Sequence, residues 1–298
     1  MCQFKSALVL KDQIFMPDYD SHDKMLQELG IEDNFTNASK VFVRVELSPT
    51  DGDIFSDVDG WKLKVDQDIL PEWWNEAERL SQLKELVETW MRKHTIYAGE
   101  HEVADGVWLS TGSATVTATG SATVTATGSA TVTAYDSATV RAYGSATVRA
   151  YGSARVRAAD SATVTAFGSA TVRATDSATV TATGSATVTA YDSATVTAYD
   201  SATVTATGSA TVTAYDSATV TATGSSTVTA YDSATVTAYD SATVRAYGSA
   251  TVTAYDSATV IMSRAFSTDG AIKLNGNSVC VNHKIHTIKS AIQWKQEE

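Results

Sequence analysis

The sequence predicts a mainly β protein: a β-solenoid with a small α+β region before it and a short β cap after it. Three observations carry this. An eight-residue unit repeats without a gap nineteen times from Gly112 to Ser263. Within the unit small apolar residues alternate with hydroxyl-bearing ones, as strand faces do. Each unit also carries Gly or Asp, residues that tolerate the positive φ of a tight corner. Self-similarity at a strict period is the mark of a stacked array.

The octad reads [Gly/Asp]-Ser-Ala-Thr-Val-[Thr/Arg]-Ala-[Tyr/Thr], with Gly or Asp as position 1. Positions 2 and 5 are Ser and Val in all nineteen units. Position 3 is Ala except at Ser226, position 4 is Thr except at Arg155, and position 7 is Ala except at Met262. Thr-Val-Thr suits a pleated strand because β-branched side chains pack on it. Positions 3, 5 and 7 share one face, and nineteen valines left in water would forfeit roughly 1.5–3 kcal/mol each. That face is therefore expected inside. Interiors of Ala and Val are thin, and two facing strands need two octads, so a 16-residue coil is expected. A triangular 24-residue coil is the alternative. At ~4.8 Å per coil, the strand spacing, nineteen octads make a rod ~45 Å long.

In the 16-residue frame Arg141, Arg157 and Arg173 stack on one face, with Arg155 beside Arg157, while Arg149 and Arg245 lie on the other. Position 6 is uninterrupted Thr from Thr181 to Thr237. The outward pairs there are Thr179 and Thr181, Thr187 and Thr189, Thr195 and Thr197, Thr203 and Thr205, Thr211 and Thr213, Thr219 and Thr221, Thr227 and Thr229, and Thr235 and Thr237. Tyr199, Tyr215, Tyr231 and Tyr247 form a column along one edge, read either as packing between coils or as a side-by-side dimer seam.

The flanks, residues 1–111 and 264–298, are read as an N-terminal cap or head domain and a C-terminal cap on the solenoid spanning 112–263. Residues 3–16 and 39–48 read as strands, with a turn at Lys11-Asp12. Ser21 and Gly30 bracket a short helix from His22 to Leu29. Pro71 is placed to open a longer helix reaching His94, and Trp73, Ala77, Leu80, Leu83, Val87, Trp90 and Met91 form its apolar stripe. Trp108 and Leu109 are expected to start covering the first coil. Asn275-Gly276 reads as a hairpin in the C-terminal cap.

Charge limits the partners. The chain carries a net charge of −12, of which residues 1–111 hold −11. Phosphate neutralisation of a nucleic acid is not expected from it. No apolar run is long enough for a membrane helix, and the N-terminus lacks the basic region and cleavage site of a signal peptide, so a cytoplasmic protein is expected.

Candidate chemistry is sparse. Asp51, Asp53, Asp57 and Asp59 lie in a glycine-containing loop, but their spacing departs from the twelve-residue calcium loop. A solvated acidic loop is the preferred reading. Asp18, Asp20, His22 and Asp23 read as helix-start charges rather than metal ligands. Cys2 would be an N-terminal nucleophile if Met1 were removed, yet nothing marks an oxyanion site for it. His94 and His101 read as core or surface residues, not a catalytic pair. Neither an enzyme, a cofactor nor a metal is expected.

The string Ala-Tyr-Gly-Ser-Ala-Thr-Val-Thr, Ala246 to Thr253, resembles the octapeptide of bacterial ice nucleation proteins, whose repeats read A-G-Y-G-S-T-x-T. Ala142 to Arg149 is the same string ending in Arg. The resemblance covers 112–263. It implies 16-residue coils, Thr-x-Thr pairs that order water or ice, and Tyr and Arg ladders that drive self-association. The N-terminal region, MCQFKSALVLKDQ through VFVRVELSPTDGD, is similar to a domain that precedes such repeats in uncharacterised phage and gut-bacterial proteins, which implies a phage-encoded origin and no known activity. The leading expectation is a non-enzymatic rod that presents Thr-x-Thr, Tyr and Arg ladders for interaction, with itself as dimer or end-to-end filament. An ice-binding or weak ice-nucleating protein is the second. A DNA-mimicking inhibitor is the third, and the six arginines among nine array aspartates count against it.

Overall fold

A computed structural model describes residues 4–267, 270–282 and 287–290. Cys2 lies outside the described residues. The chain divides into two compact units, residues 1–95 and 96–298.

The first unit is built on a four-stranded antiparallel sheet, order β2-β1-β3-β4, from β1 (Lys5–Leu10), β2 (Ile14–Phe15), β3 (Phe42–Pro49) and β4 (Trp61–Val65). The turn at Lys11-Asp12 closes β1 on β2, with Leu10 N–H donating to Gln13 O at 2.8 Å. Leu8 and Phe42 project from one face and pack with Met25 and Leu26 of α1 (His22–Glu28). Ser21 caps α1 by accepting from Lys24 N–H at 3.3 Å, as the Ser-first pattern predicts. Ala7, Val9, Val43, Val45 and Leu47 are buried on the opposite face. A short helix, α2 (Phe35–Ala38), is capped by Asn34.

The long helix, α3 (Glu76–Lys93), starts later than Pro71. Asn75 is its cap and accepts from Glu78 N–H at 3.4 Å, while Pro71 sits in the preceding turn, bonded through its carbonyl to Trp74 N–H. A side-chain cap satisfies an orphan donor, which proline cannot do. Of the apolar stripe, Leu83, Val87 and Trp90 are buried and Ala77 is exposed.

In the second unit, positions 4 to 7 of every octad form a strand. Consecutive octads alternate between two parallel stacks, so each strand pairs with the one sixteen residues away: Thr179 with Thr195, Val180 with Val196, Thr181 with Thr197. This excludes the 24-residue coil. A 12-stranded sheet holds the strands that begin at Thr123, Thr139, Arg155, Thr171, Thr187, Thr203, Thr219, Thr235 and Thr251; a 13-stranded sheet holds those between. Ala and Val of positions 3, 5 and 7 fill the space between the sheets, nearly all at 0% exposure. Ser226, the one polar intruder at position 3, is satisfied because its hydroxyl donates to Thr223 O at 2.8 Å.

Positions 8 to 3 make the corner, a turn closed by the position 3 N–H on the position 8 carbonyl, as from Ala138 to Tyr135 at 3.0 Å. All nine array aspartates stand at φ between 53° and 56°. At six of the nine the carboxylate offsets the strain of the left-handed backbone by accepting a backbone N–H of the preceding coil. Asp200 Oδ2 accepts from Gly184 N–H at 2.9 Å and Asp216 Oδ2 from Asp200 N–H at 3.3 Å, each one coil back. Asp160 and Asp240 do the same with Gly144 and Gly224.

The coils extend beyond the octads. Glu100–Val103 and Val107–Ser110 pair in parallel with Thr115–Ala118 and Thr123–Ala126, and Trp108 packs against the array's core. At the other end Ala271–Leu274 stacks on Thr251–Ala254 and Val279–Asn282 on the strand that starts at Thr259. Asn275-Gly276 is therefore a coil corner and not a hairpin. Gly276 has φ 64° like the octad glycines, but the flanking strands take their partners from the preceding coil and lie in different sheets. Antiparallel pairing enters one strand later, where Thr287–Ser290 lies against Val279–Asn282 and ends the 13-stranded sheet. Cys280 is buried opposite Val260, and burial pushes its thiol up to about 11.

Candidate functional site

The outward face of each sheet is a lattice of identical side chains. The sixteen threonines at positions 4 and 6 from Thr179 to Thr237 divide equally. Thr179/181, Thr195/197, Thr211/213 and Thr227/229 stand on the 13-stranded sheet; Thr187/189, Thr203/205, Thr219/221 and Thr235/237 stand on the 12-stranded one. The position 4 threonines are exposed, apart from half-buried Thr227, and the position 6 threonines are half-buried. Hydroxyls within a pair lie two strand residues apart, ~6.7 Å, and repeat at ~4.8 Å between coils.

The predicted tyrosine column is a continuous stack. Tyr199, Tyr215, Tyr231 and Tyr247 follow one another at 5.0, 4.9 and 4.7 Å between ring centroids, with planes within 20°. Desolvation raises the Tyr215 phenol above its ordinary value, helped by the neighbouring Tyr231, Tyr199 and Asp232. Two further stacks escaped the sequence reading. Tyr135, Tyr151 and Phe167 stack at 5.1 and 4.7 Å along the same corner, and Tyr239 stacks on Tyr255 at 5.0 Å along the other. Their 16-residue spacing was the available signal, obscured by Phe167 replacing Tyr and by Thr183 interrupting the column.

Arg141, Arg157 and Arg173 are register partners on the 12-stranded sheet. Arg155 shares the strand of Arg157, and Arg149 and Arg245 lie on the other sheet. Among the described residues no carboxylate lies within 4.0 Å of these six guanidinium groups. Arg173 instead lies over the ring of Tyr191, 4.5 Å from its centroid.

Several charged groups of the first unit are engaged locally. Asp51, Asp53 and Asp57 accept from the N–H groups of Asp53, Phe55 and Asp59 at 2.9 to 3.0 Å, shaping the acidic loop. Asp20 pairs at 2.9 Å with Lys5, a buried lysine whose ammonium lies 4.9 Å over Trp90. Asp18 pairs with Lys93 at 2.9 Å, and that bond holds its carboxyl below the ordinary value. His22 Nε2 meets Val45 O at 3.1 Å. His94 is buried and stacks on Trp90 at 4.3 Å, and desolvation lowers its pKa. His101 is exposed. Among the described residues no three His, Cys, Asp or Glu side chains converge as a metal site, and no helix is long and apolar enough to cross a membrane.

These features define a tandem-repeat β-solenoid whose outward positions repeat in register. No protein-family model, curated protein or solved structure matches the chain.

Proposed function

We propose that this is a non-enzymatic repeat protein whose solenoid presents Thr-x-Thr, Tyr and Arg ladders for interaction, with further copies of itself as partner. The observation that carries the reading is the in-register stacking of half-exposed aromatic columns on a solenoid whose arginines, among the described residues, have no carboxylate partner. A surface periodic at the strand spacing meets another such surface at many points at once, so weak contacts add. Sedimentation velocity across a concentration series tests this: dimers or filaments are the expected result, and a clean monomer at high concentration overturns it.

A second reading is ice binding or weak ice nucleation, which the resemblance to ice nucleation repeats supports. One observation favours it: eight threonine pairs continue without an arginine through Thr237 on both sheets. Ordered water needs such flat, uncharged hydroxyl lattices, whereas arginines hydrate strongly and protrude. If the threonine lattice of the 13-stranded sheet holds ice, Thr197→Tyr, Thr213→Tyr and Thr229→Tyr together abolish thermal hysteresis and the early freezing of droplets through that face without changing the circular dichroism spectrum. Wild-type droplets that freeze like buffer, with no faceting of ice crystals, sink this reading.

A further inference from the structure

Near the end of the octads the regular lattice breaks. Two strands of the 13-stranded sheet, Thr243–Gly248 and Thr259–Phe266, run past the usual four residues and slip register there. Ala246 pairs with Met262 and Gly248 with Phe266, so Tyr247 alone faces residues 263–265. A cleft of about 410 Å³ opens there, lined by Arg245, Tyr247, Ile261, Ser263 and Arg264.

Two properties of the cleft point to a ligand. First, it is cationic in an acidic protein. Arg245 and Arg264 line it, and among the described residues no acidic side chain does and neither guanidinium has a carboxylate within 4.0 Å. Second, Tyr247 ends the four-ring stack. It lies on Tyr231 at 4.7 Å, and among the described residues no ring covers its other face. The next rung of that column is Ser263, a small residue whose hydroxyl accepts from Ala265 N–H at 3.2 Å and keeps its own proton to donate. Ile261, the register partner of Arg245, supplies an apolar wall.

We propose that this cleft binds a planar aromatic acid. The ring of the ligand continues the tyrosine stack on the free face of Tyr247, and its carboxylate is held by Arg245 and Arg264, with Ser263 as a further donor. Stacking and a charge-assisted hydrogen bond each need what the other does not supply, so neutral rings and non-aromatic acids bind less well.

The probe is 2-naphthoate added to the full chain and followed by fluorescence polarisation. A dissociation constant of about 0.1–1 mM is expected for a ligand of this size, with 2-naphthol at least roughly tenfold weaker. Arg245→Gln with Arg264→Gln in one chain removes the preference for the acid. Tyr247→Leu weakens both probes by about fivefold. Arg149→Gln, on the same sheet but outside the cleft, leaves both unchanged, and circular dichroism checks that every variant is folded. Equal affinity for naphthoate and naphthol, undiminished binding to the double-Gln variant, or no binding of naphthoate by the wild type overturns the proposal.

Discussion

Val196→Asp unfolds the middle of the array. Val196 is fully buried, between its register partners Val180 and Val212, in an interior of alanine and valine methyl groups. A carboxylate there meets no side-chain donor, since the neighbouring coils place only Ala and Val at positions 3, 5 and 7. The expected loss exceeds about 5 kcal/mol, the range reached when an unpaired charge enters a core. Solenoid coils contact only their neighbours, so the damage is local in origin but cuts the stack in two. Thermal melting followed by circular dichroism should show an earlier, broader transition, and limited proteolysis should cut near residue 196. Thr195→Asp is the control: one residue away and exposed, it should change stability by less than about 0.5 kcal/mol. Equal melting of the two variants would disprove the inside–outside assignment.

Gly120→Asp destabilises the solenoid while Gly152→Asp does not, although aspartate is the commonest alternative at octad position 1. Both glycines have positive φ, 54° and 64°. A Cβ at Gly120 meets the Ala104 carbonyl oxygen at 2.7 Å, whereas at Gly152 the nearest atom is Asp136 N at 3.6 Å. The first contact involves backbone that must move, at a cost of about 2–3 kcal/mol. At residue 152 the new carboxylate can accept the N–H of Asp136, as Asp216 does from Asp200, and the change is expected within about 0.5 kcal/mol of neutral. Urea unfolding of the two variants distinguishes them, and identical midpoints would contradict the prediction. Gly112 behaves as Gly120 does, since its Cβ would lie 2.6 Å from Tyr97 O.

The array's frame was legible because its period is long enough to over-determine it. Arginines at 141, 157 and 173 and tyrosines at 199, 215, 231 and 247 place every octad on one of two sheets, and both columns stand where that spacing puts them. The aspartates were legible only as residues that tolerate positive φ. Their bond to the preceding coil depends on a side-chain direction that no periodicity encodes. Asn275-Gly276 shows the opposite limit. The dipeptide marks a tight turn correctly, but whether the flanking strands pair with each other or with the coil below is decided by what is already stacked. The cleft at Tyr247 was hidden for a related reason. Ser263 completes the last octad in sequence, and only the pairing of Gly248 with Phe266 reveals that the rung is bulged.

Two octads per coil also make repeat number a matter of parity. The interior is the same in both octads, so the loss of a single unit leaves no hole. It does exchange the two faces for everything that follows. Without one unit between Thr175 and Tyr199, the four stacked tyrosines would rise on the corner opposite Tyr135 and Tyr151, and Arg245 would join the sheet of Arg141. Loss of two units shortens the rod and leaves every column aligned. A gene of near-identical repeats changes copy number by slippage, and in this chain only even slips keep the surface pattern intact.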